Sequence, residues 1–203
     1  MGTYEDGEQV HPADRAEWRA WLAEHHRRGQ GVWMVSWRKG SGRTPVSYDE
    51  AVEEALCFGW VDSRPRKLDD HRTMLWFSPR QPGSGWSRPN KERVARMESA
   101  GLMAEAGRRV VEAARADASW TALDEVEDLT VPDDLAKALA ARPPAAAEWE
   151  AFPRSVKRGV LEWISTAKRP ETRAKRVEET ARLAQVGERA NQWRPRGART
   201  EPG

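Results

Sequence analysis

Eleven tryptophans, against two tyrosines and three phenylalanines, set the terms on which this chain can fold. Each indole buries about 150–250 Å² and carries one N–H that needs a partner once it leaves water. Only 38% of the 203 residues are hydrophobic and 33% are charged. The interior must therefore be assembled around a few large rings, and most of the eleven tryptophans are read as core. With a net charge of only +2, the chain is also too near charge balance for a disordered one. Its length suits one domain, or one domain with a small helical addition.

Periodicity then assigns elements. Pro12 opens a helix in which Trp18, Trp21, Leu22 and His25 fall on one stripe, stopped by Gly29 and Gly31. Residues 32–38 (VWMVSWR) read as a strand. Ser47 and Glu50 form a capping box ahead of a helix that ends at Gly59, with Ala51, Ala55 and Leu56 facing inward. Trp60–Arg66 and Thr73–Ser78 follow as two strands, and their short connection favours antiparallel pairing. Residues 79–89 hold three prolines and two glycines and cannot be regular structure. Helices are expected over 90–100 and 104–116, from 131–134 onward, from 153 with Val156, Val160, Trp163 and Ile164 as a stripe, and from 170 to about 186. The expected fold class is α+β: a small antiparallel sheet with flanking helices, then an all-helical half. Residues 1–100 would form the α+β region with three strands, 101–190 a helical region packed on it as one unit, and 191–203 a flexible tail.

Charge is unevenly placed, with a net of −3 over residues 1–59, +5 over 60–96, −5 over 97–166 and +5 over 167–203. On a regular strand Trp60, Asp62, Arg64 and Arg66 share one face. Three ionisable groups there must pair with Asp69 or Asp70, or line a polar cleft. Arg80, Trp86, Ser87, Asn90 and Lys91 extend the cluster, with Ser87 as a helix N-cap and Pro89 in the first turn. These ten residues, Asp70 aside, are the candidate ligand site, and a structural network of salt bridges and caps is the alternative. Lys168, Arg169, Arg173 and Arg176 form a second basic patch, either a solvated helix face or a docking stripe for an acidic partner, nucleic acid or a membrane surface.

Signatures of metal or nucleophilic catalysis are missing. No G-x-S-x-G, H-E-x-x-H, G-x-G-x-x-G or P-loop pattern occurs. His25 and His26 are adjacent and point about 100° apart, so no metal site is expected. Cys57 sits between Leu56 and Phe58 and is read as buried and structural. The chain has no run of eighteen apolar residues for a membrane span. Its acidic opening segment lacks a secretory core, and a lone cysteine suits a reducing compartment. A cytoplasmic location and no cofactor are therefore expected.

The string EALCFGWVD (54–62), Arg66, Asp69, FSPR (77–80) and WSRPNKERV (86–94) resembles the bacterial YdeI/OmpD-associated family. Trp18 with Trp21-Leu22, GLMAEAG (101–107), VPDDL (131–135) and AKRPETRAKR (167–176) extend the resemblance over about residues 12–186. The chain departs from it at Asp117-Ala118-Ser119-Trp120, where a glycine is expected near Ala118. The resemblance implies stress or bacteriocin and antimicrobial-peptide protection, by binding rather than catalysis, and supplies no catalytic residue. The alternative is an enzyme or small-anion-binding protein using the cleft at 60–91, with Asp62 or Asp69 as acid/base. A third is nucleic-acid binding through the basic segments. The partner would be a small anionic ligand or a protein.

Overall fold

The structure, a computed structural model, describes Tyr4 and residues 7–191. The chain divides into two compact units, Met1–Ala122 and Leu123–Gly203. The first contains, in order, β1 (Gln9–Val10), α1 (Arg15–His25), β2 (Val32–Trp37), α2 (Tyr48–Cys57), β3 (Trp60–Lys67), β4 (Arg72–Pro79), α3 (Arg88–Ser99) and α4 (Glu105–Ala116). The second contains α5 (Asp124–Glu127), α6 (Asp133–Ala140), α7 (Ala145–Ala151), α8 (Arg154–Ser165) and α9 (Pro170–Ala184). The fold is α+β, with helices dominating the C-terminal half. The expected flexible tail, apart from Asn191, lies outside the described residues.

The sheet has the order β1-β2-β4-β3. The three strands read from the sequence pair antiparallel, with Val32 opposite Phe77 and Trp60 opposite Pro79. A fourth, two residues long, joins the edge parallel to β2, with Gln9 opposite Trp33. Two residues are too few to show a period of two, so β1 left no signal in the sequence. The first helix begins later than Pro12, because the Asp14 carboxylate accepts from the Glu17 N–H and caps it there. The Ser47–Glu50 capping box forms as read.

Helices α1 and α2 cover one face of the sheet. Trp18, Leu22, Val32, Met34, Leu56, Trp60, Phe77 and Trp86 meet there in one cluster. Two of the buried indoles donate to backbone carbonyls: Trp18 Nε1 to Ala51 at 3.1 Å and Trp60 Nε1 to His26 at 3.0 Å. Gly107 on α4 makes the close approach to the end of α2 possible, since a Cβ there would stand 2.2 Å from the Cys57 oxygen. Two carboxylates are buried beside this core, Glu53 and Glu54. Arg15 and Arg96 hold the first; Arg15 and Arg19 hold the second. The opposite sheet face carries a smaller cluster of Trp33, Val35, Met74 and Trp76.

The second unit packs Leu135, Trp149, Val160, Leu161, Ile164, Val177 and Ala181. Of the stripe read on α8, Val156, Val160 and Ile164 are buried and Trp163 lies at the edge. Helices α5 and α7 are additional to the elements read from the sequence. At four and seven residues they are too short for a clear 3.6-residue period.

Candidate functional site

Strand β3 does not run in one register. Asp62 is opposite Phe77 but Pro65 is opposite Leu75, so one extra residue is accommodated between them. Such a bulge exchanges the faces beyond it. Asp62 shares the helix-covered face with Phe77, whereas Arg66 faces with Met74 on the other side. The single polar face expected for Trp60, Asp62, Arg64 and Arg66 is therefore split, because the alternation that defines it is broken at Ser63-Arg64.

The candidate residues accordingly go to several places. Trp60 is core. Asp62 accepts the Tyr48 hydroxyl at 2.9 Å, and burial together with that carboxylate pushes the phenol up to about 12. Arg64 lies over the Tyr4 ring at 4.6 Å. Asp69 does not reach Arg64 or Arg66. It accepts from the backbone N–H groups of His71 and Arg72 and pairs with the Arg72 guanidinium at 2.7 Å, which holds its carboxyl below the usual range. Asp70 pairs with Lys67 at 2.6 Å.

Arg80, Trp86 and Lys91 do gather, Lys91 through Trp120. The loop after β4 wraps the Arg80 guanidinium, which stacks 3.7 Å above the Trp86 ring and donates to the carbonyls of Ser84 and Gly85. Burial lowers this guanidinium to about 10, and its Nε has no partner among the described residues. A niche of about 80 Å³ adjoins it, lined by Gly83, Ser84, Trp86, Asp117 and Ser119 among others. Trp120 packs on Trp86 at 4.9 Å, and Lys91 lies 5.6 Å from the Trp120 ring. Ser87 stands at the N-cap of α3, but its side chain makes no cap bond. The Asn90 amide oxygen accepts from Arg93 at 3.0 Å.

The large concavity lies elsewhere on the same sheet. Helices α1 and α2 cover the part holding Val32, Met34, Trp60 and Phe77, and the strands continue past them. The uncovered ends leave a cleft of about 730 Å³. Ser36, Pro65, Lys67, Thr73 and Leu75 line it from the sheet, and Pro45, Val46, Ser47, Tyr48 and Ala51 from the loop and α2. Arg38, Lys39, Arg66 and Asp49 complete its charged lining. The Ser36 hydroxyl donates to the Val46 carbonyl at 2.9 Å and pins the loop to β2. Sequence reasoning found Arg66 but missed the rest of this wall. The available signal is the basic, glycine-broken link KGSGRTPV between β2 and α2.

In the second unit the basic patch is partly engaged. Arg173 pairs with Asp134 at 2.7 Å. Arg176 donates to the Trp163 carbonyl and lies over its ring at 5.0 Å. Lys168 and Arg169 are exposed at the start of α9. Cys57 is buried in the first unit, where burial and the nearby Glu54 charge push its thiol up to about 11. Among the described residues, no helix is long and apolar enough to cross a membrane.

Residues 128–187 match the model of the family described as bacteriocin-protection, YdeI or OmpD-associated. Residues 10–110 match a separate model, a domain of unknown function (DUF8412). The cleft and the Arg80 loop fall within that second match. No curated protein and no solved structure matches the chain.

Proposed function

We propose that this chain, whose residues 128–187 carry a domain of the bacteriocin-protection, YdeI or OmpD-associated family, is a cytoplasmic bacterial stress-protection protein that works by binding. The observation that carries the reading is the 730 Å³ cleft of the first unit, within the size range of about 300–1,000 Å³ typical of ligand sites. Its lining has no histidine or cysteine, and its one acid, Asp49, is paired with Arg93 at 2.5 Å. A phenol near 12 and a paired carboxylate are poorly matched to proton transfer near neutral pH. A pre-formed, mostly apolar recess suits holding a ligand better than transforming one.

The test is survival. A sensitive bacterial strain producing the full chain is challenged with a bacteriocin or a cationic antimicrobial peptide, beside the same strain producing Thr73→Trp. Thr73 is exposed and lines the cleft, so the indole fills the recess without entering the core. Protection by the wild type that is lost in Thr73→Trp is the expected result. Equal protection by both overturns the reading.

A second reading, a small oxyanion held by Arg80, is favoured by the unpartnered Nε beside its niche. Phosphate or sulfate that raises the melting temperature of the wild type, but not of Arg80→Gln, would establish it.

A further inference from the structure

We infer that the cleft of the first unit takes an amphiphilic anion, an extended apolar body ended by a single carboxylate or phosphate head; this rests on reading the cleft as the binding seat. The hydroxyls of its wall are already committed. Ser36 donates to the Val46 carbonyl, Ser47 to Glu50 at 2.7 Å, Tyr48 to Asp62, and Thr73 to the Arg66 carbonyl at 3.1 Å. A sugar or a base edge entering this recess would shed its water and find no hydroxyl proton to replace it. What the wall offers a ligand body is the apolar surface of Pro45, Pro65 and Leu75, next to the buried Met34 and Val46.

The charge of the lining selects the head. Arg38, Lys39 and Lys67 stand against Asp49 as the one carboxylate, which Arg93 neutralises, while Arg66 points with Met74 to the other face of the sheet. Lys67 pairs with Asp70, while Arg38 and Lys39 form no ion pair among the described residues and are exposed just past the end of β2. Arg38 is two residues beyond Ser36 and so continues its face, towards the cleft. Clustered cations beside a low-dielectric wall concentrate anions at that mouth and repel cations. An apolar trough with a cationic mouth discriminates by both chain length and head charge.

The full-length protein is titrated calorimetrically with dodecanoate, dodecyl phosphate, dodecyltrimethylammonium and butyrate, each below its micelle concentration. Dodecanoate or dodecyl phosphate should saturate one site, and the better of the two identifies the head. Dodecyltrimethylammonium and butyrate should bind at least tenfold more weakly. Arg38→Ala with Lys39→Ala, two exposed positions that leave the core intact, should weaken the long-chain anions at least tenfold. Equal binding of the cationic and anionic amphiphiles, or no effect of the double variant, overturns the inference. If no amphiphile binds while Thr73→Trp still abolishes protection, the inference fails and the binding reading stands. If protection survives in Thr73→Trp, the binding reading itself fails.

Discussion

Removing Glu54 tests what holds α1 onto α2, the helix that forms one wall of the cleft. The Glu54 side chain retains 3% of its surface and accepts from Arg15 Nε at 2.6 Å and from Arg19 Nη1 at 2.5 Å. Breaking a fully buried ion pair from one side costs about 3–5 kcal/mol, because the remaining charge is stranded. Here the two arginine side chains keep 34% and 33% of their surface and can turn into solvent. The cost of Glu54→Ala is therefore discounted to about 2–3 kcal/mol. The assay is urea unfolding followed by tryptophan emission, which reports the first unit because eight of the eleven tryptophans lie there. With a slope of about 2 kcal/mol per molar urea, the midpoint should fall by roughly 1–1.5 M. Glu98→Ala is the control, since Glu98 meets Arg115 only at 3.4 Å with both side chains more than a third exposed, and it should shift stability by less than about 0.5 kcal/mol. A midpoint for Glu54→Ala within the error of the Glu98 control would refute the reasoning that this carboxylate fastens the helices.

Three further outcomes follow from the packing and charge. Gly31→Ala places a Cβ 2.5 Å from the Trp76 indole and 2.6 Å from the Phe77 oxygen, so thermal unfolding should show a loss of about 1–3 kcal/mol; Gly29→Ala, with nothing within 4 Å, should be neutral or better. Ala118 sits just past α4 at φ +62°, and Ala118→Gly should gain about 0.5–1 kcal/mol by relieving a left-handed residue that carries a Cβ; a loss of stability would contradict this. Hydrogen bonding to Arg173 lowers the Asp134 carboxyl, so its contribution to the second unit is present above the unfolded carboxylate value of about 3.9 and is lost as pH falls through the lower folded value. Asp134→Asn should remove that part of the acid-side decline in stability, and an unchanged acid limb would count against the pair.

Wherever a strong local pattern and a tertiary requirement coincide, the sequence was a good guide. The Ser47–Glu50 box and the β-branched, aromatic runs of β2 and β4 are self-contained, so their elements appear where the pattern puts them. The glycine expected near Ala118 has a physical cause, a left-handed residue after a helix. The candidate site was less legible because it depends on register. One bulge between Asp62 and Pro65 reverses the faces of β3, and no residue in DSRP announces it by periodicity alone. Asp69 is diverted by Arg72, three residues along, a short-range partner that outcompeted the cross-hairpin pairing expected with Arg64 or Arg66. The cleft itself was hidden for a different reason. It exists because the strands outrun the helices that cover them, a relation between element lengths and packing rather than a motif. Arg80 is legible as a charged residue in an irregular loop, but its stacking on Trp86 depends on how that loop folds back.

Backbone amide NMR of the full-length protein during a titration with dodecanoate tests the central claim most directly. The account predicts saturable shift changes concentrated at residues 34–39, 45–51 and 65–75, with those near Arg80 and along α9 unmoved. Changes centred on Arg80 and Trp86 or on Lys168 and Arg169, or none at saturating ligand, would contradict it.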